Sequence, residues 1–275
     1  MTPFDAFRYD GKRALVVGGA TGMGAAVAEL VKDAGAEVLV ADRAPVTLDG
    51  VEAHQVDLAD EASIDALADA IDGPVHALFS CAGVADGTPG IERINFIGHR
   101  HLINRLLEQE KMPRGSAIGL ISSAAGMGWR TNLENVQKYL AVEGFDEAAA
   151  WARDNNKADY MWSKMAMNGY VAGEAFHLLQ QGVRINAIMP GPTDTPLAQA
   201  NADTWLSFGA DYRDEAGIQA ATPSDQAYPL VFLCSDAAVG ITGITMITDA
   251  GYQASGVAGA HQGAADAVGF LEMEF

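Results

Sequence analysis

Tyr160 and Lys164 are the two residues whose types and spacing most directly suggest chemistry. They stand four positions apart in the segment 158–167. Residues at positions i and i+4 share one face of a helix, so the Lys164 ammonium can lie beside the phenol. A free tyrosine titrates near ~10, and an adjacent positive charge favours the phenolate. The pair therefore predicts a tyrosine that exchanges a proton with an alcohol or a carbonyl near neutral pH.

A glycine-rich turn near the start of the chain predicts a dinucleotide site. Residues 13–17 read as a buried strand that stops at Gly18, and an apolar-periodic helix follows over 25–34. Glycines in the turn let the backbone bend tightly, while the start of the helix offers free N–H groups and a favourable dipole to a pyrophosphate. The predicted contacts in this turn are Gly18, Thr21, Gly22, Met23 and Gly24.

An acidic residue after the second strand bears on the choice of cofactor. The predicted strand 37–41 ends in Asp42, which lies 18 residues beyond Gly24. That is near the distance expected for an acid that bonds a ribose 2′-hydroxyl. Asp42 would repel a 2′-phosphate, and the turn itself supplies no cation. NAD is therefore predicted in preference to NADP, although the neighbouring Arg43 argues for NADP.

In this order of motifs the chain resembles the short-chain dehydrogenase/reductase family over about residues 11–255, with glycines spaced Gly-x-x-x-Gly-x-Gly. The resemblance implies that Tyr160 is the base, Lys164 its partner, Ser123 a donor to the substrate oxygen and Asn95 the organiser of a proton-relay water. It also implies that Lys164 bonds the nicotinamide ribose. The cofactor contacts that the resemblance adds are Asp57, Leu58, Cys81, Ala82, Gly83, Tyr160, Lys164, Pro190, Gly191, Thr193 and Thr195.

Two departures from the family pattern point to one branch of it. The nine residues 42–50 leave no room for a crossover helix between the second and third strands. The 36 residues between Ser123 and Tyr160 are more than the family usually has, and they include the helix-forming run 146–153 with an acidic start. Both features resemble the branch of bacterial 3α-hydroxysteroid dehydrogenase/carbonyl reductase and coniferyl-alcohol dehydrogenase-like enzymes.

The alternation of strands and helical stretches predicts an α/β fold, a Rossmann-like doubly wound parallel sheet. We expect a single NAD(P)-binding domain over 1–275, with a helical insertion at 124–159, a substrate lid at 195–220 and a C-terminal tail at 256–275 that docks or stays partly mobile. Trp205 and Phe208 are the predicted substrate contacts in the lid. The alternative for these aromatics is packing against the body of the protein or at a subunit interface.

The composition excludes several classes of partner. A formal charge of −19 disfavours nucleic acid and anionic membranes, and no apolar run reaches membrane-spanning length. The first residues lack the layout of a signal peptide, and two cysteines fit a reducing cytosol, so a cytoplasmic protein is expected. No metal is expected, since the histidines form no constellation of ligands, and His99 and His101 are expected on an exposed helix face.

These observations predict an oxidoreductase that moves a hydride reversibly between a secondary alcohol, of aryl or steroid type, and NAD, with tyrosine as acid and base. The implied partners are an apolar alcohol or ketone and further copies of the chain, in a dimer or tetramer. Two alternatives stay open: an NAD(H) sensor without turnover, and a different reaction on the same scaffold. Among the latter, the resemblance implies a wider Tyr–Lys spacing for enoyl reductases and a lost nucleotide turn for halohydrin dehalogenases.

Overall fold

The strands form one parallel sheet in the computed structural model, which describes residue 2 and residues 4–274. Within these residues the sheet has seven strands in the order β3-β2-β1-β4-β5-β6-β7. This confirms the predicted doubly wound parallel sheet. The predicted domain 1–275 and tail 256–275 include residues 1, 3 and 275, which lie outside the described residues. The strands are β1 Arg13–Val17, β2 Glu37–Asp42, β3 Glu52–Gln55, β4 Ala77–Ser80, β5 Ala117–Ile121, β6 Arg184–Pro190 and β7 Thr245–Thr248.

Helices cover both faces of the sheet. α1 and α10 pack on one face, and α2, α3 and α6 pack on the other. The central strands are buried on both sides, which explains why β5 reads as a continuous apolar run, Ala117–Ile121. The helices are α1 Gly22–Asp33, α2 Glu61–Ala70, α3 Gly98–Glu108, α4 Leu133–Leu140, α5 Phe145–Asp154, α6 Tyr160–Gln181, α7 Pro196–Gln199, α8 Ala202–Trp205, α9 Ala210–Ala216, α10 Pro223–Cys234, α11 Tyr252–Val257 and α12 Gln262–Leu271.

The short connection between β2 and β3 contains no helix, as predicted. Residues 43–51, all of them described, form bends and turns, and β3 begins at Glu52, one residue later than expected. β3 lies at the edge of the sheet, and no helix connects β2 to it. This end of the sheet is therefore more exposed than the centre, and β3 has no buried residue.

The helix that carries Tyr160 has well-defined ends. The Asp159 carboxylate accepts a hydrogen bond from the Trp162 N–H at 2.8 Å, which caps α6 and places Tyr160 at its first position. The helix ends at Gln181 and is followed by Gly182, whose φ of +80° is readily adopted by glycine. Tyr160 and Lys164 therefore lie in the first two turns of α6, with the i, i+4 relation that their spacing predicted.

The insertion before this helix contains α4 and α5, which confirms the helical run expected at 146–153. The rings of Tyr139 and Trp151 stack with centroids 5.1 Å apart, and Phe96 meets Tyr139 edge-on at 5.5 Å. Arg153 donates to the buried Glu92 carboxylate at 2.7 Å. The insertion thus extends the core on the α3 and α6 face of the sheet.

Candidate active site

The candidate site lies at the carboxyl ends of β1 and β4, where the strand order reverses. This is where open α/β sheets bind their ligands. Gly18 follows β1 with φ +82°, and a Cβ on it would overlap the backbone N of Ala82. A Cβ on Gly24 would overlap the Gly18 carbonyl oxygen. Both positions therefore require glycine for steric reasons, as the sequence predicted for a tight turn.

A cavity of about 240 Å³ opens beside this turn. Every predicted contact of the turn and of the β2, β3 and β4 ends lies on its wall: Gly18, Thr21, Gly22, Met23, Gly24, Asp42, Arg43, Asp57, Leu58, Cys81, Ala82 and Gly83. Asp42 accepts hydrogen bonds from the backbone N–H groups of Ala20 and Ala44, each at 2.9 Å. The carboxylate therefore braces the turn from the end of β2 as well as facing the cavity.

The wall of this cavity fits a dinucleotide. α1 begins at Gly22. In the described structure the Thr21 side chain accepts no hydrogen bond from the first turn of α1, so the N–H groups of that turn are available to an anion. The glycines keep side chains away from this helix end. A pyrophosphate would lie at the turn, with Asp42 on the side where a ribose would lie.

A second cavity, of about 270 Å³, lies next to the first. Met23, Cys81, Gly83, Thr195 and Leu197 line both cavities, so the two form one continuous cleft. The second cavity also brings together residues predicted from distant parts of the chain: Ser123, Tyr160, Lys164, Pro190, Gly191, Thr193, Thr195, Trp205 and Phe208.

The Tyr160 and Lys164 side chains lie close together at the start of α6. The Lys164 Nζ lies 5.5 Å from the centre of the Tyr160 ring and donates to the Ile121 carbonyl oxygen at 2.9 Å. Burial lowers the pKa of Lys164 to about 8. Burial also raises the pKa of Tyr160, a hydrogen bond from Ser123 opposes that rise, and the Asp86 carboxylate adds to it. Burial of the phenol has the largest effect on its pKa, and the expected lowering of this pKa by Lys164 stays a prediction.

Ser123 lies two residues after β5 and points its hydroxyl at the tyrosine. Its Oγ accepts from the Ala125 N–H at 3.2 Å, which caps the 3₁₀ turn Ala124–Trp129, and it also bonds the Tyr160 side chain. A substrate oxygen bound between Ser123 and Tyr160 would contact both hydroxyl groups at once.

Asn95 lies behind the cleft and is not on its wall. It is fully buried in the π-helical turn Arg93–Ile97, a type of irregularity that is frequent at functional sites. Its side-chain oxygen accepts from the Val84 N–H at 2.8 Å, and its side-chain nitrogen donates to the Val84 carbonyl at 3.0 Å. Asn95 thus holds the loop after β4 in place, and its part in a proton relay stays a prediction.

The loop after β6 and the segment that follows close the other side of the cavity. The Thr193 hydroxyl donates to the Gly191 carbonyl at 3.0 Å, and the Thr195 hydroxyl accepts from the Ala198 N–H at 3.1 Å, so both shape the loop. The Trp205 ring lies 5.0 Å from the Tyr160 ring, centroid to centroid. An aromatic wall therefore stands directly beside the proposed proton donor.

Three features of the site did not follow from the sequence. Leu271 of the C-terminal helix lines the catalytic cavity, and the Asp86 carboxylate accepts from the Tyr160 N–H at 2.7 Å. His99, expected on an exposed face, is buried, with its Nε2 3.0 Å from the Ala82 carbonyl oxygen and its pKa lowered by burial to about 4. For Leu271 a signal existed, since Ala264, Val268 and Leu271 repeat at the spacing of one helix face.

Similarity to known proteins extends over nearly the whole chain. A protein-family model described as "Enoyl-(Acyl carrier protein) reductase" matches residues 18–253. Coniferyl-alcohol dehydrogenase of Pseudomonas sp. (strain HR199 / DSM 7063) is 29% identical over 250 residues, which cover 87% of this chain and 96% of that protein. The 3-alpha-hydroxysteroid dehydrogenase/carbonyl reductase of Comamonas testosteroni is 30% identical over 256 residues, covering 87% and 96%. The crystal structure of the 3-alpha-hydroxysteroid dehydrogenase from Pseudomonas sp. B-0831 complexed with NADH matches with a TM-score of 0.71 and 25% identity, over 88% of this chain and 97% of that one.

The described residues contain no group of three or more His, Cys, Asp or Glu side chains placed to hold a metal ion. None of their helices combines the length and the apolar character needed to cross a bilayer.

Proposed function

Because the chain belongs to the short-chain dehydrogenase/reductase family of oxidoreductases, we propose that it interconverts a neutral, largely apolar secondary alcohol and its ketone with NAD as cofactor. One observation carries the proposal. Ser123, Tyr160 and Lys164 line a single cavity that is continuous with the cleft beside the glycine turn. A proton-exchanging phenol therefore lies within the same cleft as the candidate dinucleotide site.

Each residue has a role that its environment supports. Tyr160 takes the hydroxyl proton during oxidation and returns it during reduction. Ser123 donates to the substrate oxygen and stabilises the charge that develops there. Lys164, held by the Ile121 carbonyl, is placed to orient the ribose next to the nicotinamide. The bound nicotinamide supplies or accepts the hydride.

The preference for NAD rests on Asp42. Its carboxylate faces the first cavity from the end of β2 and would repel the phosphate that distinguishes NADP. Arg43 lies on the same wall and is the residue that would favour NADP. The backbone bonds to Ala20 and Ala44 hold the Asp42 carboxylate in place, which supports a stronger effect of Asp42 on cofactor choice than of the exposed Arg43.

The substrate class rests on the lining of the second cavity. Among the described residues that line it, Lys164 alone carries a charge, and in the proposed complex this side chain bonds both the Ile121 carbonyl and the cofactor ribose. No cation is left to hold a carboxylate or a phosphate, so a neutral substrate fits better than an anionic one. The walls carry aromatic and aliphatic side chains. The loop that would grip the nicotinamide also lines this cavity of about 270 Å³, so the substrate would occupy only part of the volume. An aryl or alicyclic alcohol of modest size fits this space.

Enoyl reduction and NAD(H) sensing are the competing functions. The family description names enoyl reductases, but Tyr160 and Lys164 have the short, four-residue spacing of alcohol dehydrogenases within the resemblance. A sensor would have no need of Ser123, Tyr160 and Lys164 in one cavity. Neither alternative accounts for the site as well as alcohol oxidation does.

The decisive experiment compares Tyr160→Phe with Tyr139→Phe. Each variant removes a single tyrosine hydroxyl, and the Tyr139 hydroxyl is buried in the insertion with no hydrogen-bond partner among the described residues. Alcohol-dependent NADH formation should fall about 10²- to 10⁴-fold in Tyr160→Phe and stay near wild type in Tyr139→Phe. NADH fluorescence should show unchanged cofactor binding in both. Binding of NADH by the wild type without turnover of any alcohol or ketone in a broad panel would favour the sensor.

We also propose a homo-oligomer, dimer or tetramer, as is common in this family. β7 is the edge strand of the sheet and exposes Ile247, and Phe176 on the adjacent α6 is 66% exposed. Exposed apolar side chains beside an unpaired strand edge favour self-association. A monomeric mass in light scattering at micromolar concentration would contradict the oligomer.

Two free cysteines, Cys81 and Cys234, are consistent with a cytoplasmic location, because the cytoplasm keeps thiols reduced.

A further inference from the structure

The last helix of the chain, α12, forms part of the catalytic cavity. Leu271, at its end, lines the cavity together with Ser123 and Tyr160. Leu271 also packs with Val268 and Met127 in a small apolar cluster that Ala124 and Phe208 complete. A side chain from the end of α12 therefore reaches the cavity in which the proposed chemistry takes place.

Backbone packing holds this helix against the turn that follows Ser123. A Cβ on Gly128 would overlap the Leu271 carbonyl oxygen, so the two backbones touch. The Asn132 side-chain nitrogen donates to the Gly128 carbonyl at 3.0 Å and to the Met273 carbonyl at 2.9 Å. One buried amide thus ties the end of the chain to the turn Ala124–Trp129. Such close contact makes α12 a fixed wall of the cavity.

The start of α12 is tied to the segment that carries Trp205 and Phe208. His261 caps the helix by accepting from the Ala264 N–H at 3.1 Å, and its other ring nitrogen lies 3.5 Å from the Glu215 carboxylate on α9. The ring of Tyr212, also on α9, meets the His261 ring edge-on at 5.2 Å. Two elements that come from different parts of the chain therefore close the cavity as one connected cover.

We propose that Leu271 determines which substrates the enzyme accepts by limiting the size of the apolar group attached to the carbinol carbon. The inference rests on the proposed function and narrows it to neutral alcohols whose bulk matches the space that Leu271 leaves. The physical basis is close packing. Leu271 is 8% exposed, its backbone contacts Gly128, and its side chain borders the cavity, so added side-chain volume at this position extends into that space.

The test uses two alcohols that differ only in size, cyclohexanol and cyclododecanol, with NAD. Leu271→Trp should reduce kcat/KM for cyclododecanol at least about tenfold more than for cyclohexanol, mainly through KM, since an overpacked wall excludes the larger ring. Leu271→Ala should raise KM for cyclohexanol about fivefold, the loss expected when ~40 Å² of apolar contact is removed. The same variant should move the preference toward cyclododecanol.

Two matched controls come from the same helix. Val268 belongs to the same apolar cluster but does not line the cavity, so Val268→Ala loosens the packing of α12 without enlarging the site. Phe270 neighbours Leu271 but is 54% exposed, so Phe270→Trp adds bulk outside the cavity. Neither control should change the ratio of kcat/KM for the two alcohols, even if both lower the midpoint of thermal unfolding.

The outcomes separate this inference from the proposed function. If the wild type oxidises both alcohols and the Leu271 variants leave their ratio unchanged, or Val268→Ala shifts it equally, Leu271 does not select by size. If the wild type oxidises no alcohol of a broad panel, the proposed function fails, and this inference fails with it. A ratio that moves in opposite directions for Leu271→Trp and Leu271→Ala, and stays constant in both controls, supports it.

Discussion

Replacing Lys164 with methionine should change how the stability of the protein depends on pH. Lys164 is 3% exposed, and burial lowers its pKa from an ordinary value of 10.5 to about 8. Between these two pH values the unfolded chain carries a proton on this side chain that the folded protein has lost. The free energy of unfolding therefore gains a contribution that rises with pH across this window and is constant below it.

The magnitude follows from the width of the window. Each pH unit in which one proton differs between the two states corresponds to ~1.4 kcal/mol. From pH 8 to pH 10.5 the contribution amounts to about 3 kcal/mol. Lys164→Met removes it entirely. The variant also loses the hydrogen bond to the Ile121 carbonyl, but any dependence of that bond on the charge of Lys164 is already contained in the lowered pKa, so its loss adds only a constant.

Urea unfolding at several pH values between 7 and 10.5 measures this effect. The free energy of unfolding of the wild type, minus that of Lys164→Met, should be level near pH 7 and rise by about 3 kcal/mol toward pH 10.5. Lys138→Met is the control, because Lys138 is an exposed lysine on α4 that pairs with Glu134 at 2.7 Å. A flat difference across the window would show that Lys164 stays charged in the folded protein, and the account of its burial would be wrong.

Two further predictions concern the carboxylates around the cleft. Asp42→Asn keeps an oxygen for the Ala20 N–H but removes the charge, so kcat/KM with NADP relative to NAD should rise at least about tenfold, equivalent to ~1.4 kcal/mol. A ratio unchanged in steady-state kinetics would exclude Asp42 from cofactor selection. Asp86→Asn keeps an acceptor for the Tyr160 N–H but removes a negative charge that raises the pKa of Tyr160, so the rising limb of the alcohol-oxidation pH profile should move to lower pH. A limb that stays in place or moves to higher pH, with wild-type thermal stability, would contradict this.

The parts of the site that depend on neighbours in the sequence were predictable. The four-residue spacing of Tyr160 and Lys164 places both on one helix face wherever a helix forms, and Asp159 provides the cap that starts it. Gly18 has a φ of +82° and a Cβ on Gly24 would overlap the Gly18 carbonyl oxygen, so the identity of both residues follows from local steric limits. The short link 43–51 excludes a crossover helix by length alone.

The properties that depend on burial were not predictable in the same way. His99 has the sequence surroundings of an exposed helix residue, yet it lies under the end of β4 against the Ala82 carbonyl. The pKa of Tyr160 rises mainly because distant segments remove water from the phenol, an effect that the spacing of Tyr160 and Lys164 does not contain. Such effects sum over everything packed around a group, which no short motif contains.

The sequence alone determined the fold class, the glycine turn and the placement of Tyr160 and Lys164 on one helix face, because these depend on backbone sterics and on spacings of a few residues. Only the tertiary structure decided what surrounds that pair. Leu271 reaches the cavity of Ser123 across 148 positions of sequence because α12 fits against Gly128, and Trp205 comes within 5.0 Å of Tyr160 through the packing of a separate segment. The shape and polarity of a cavity are set by contacts between distant segments, and those contacts exist only once the chain has folded.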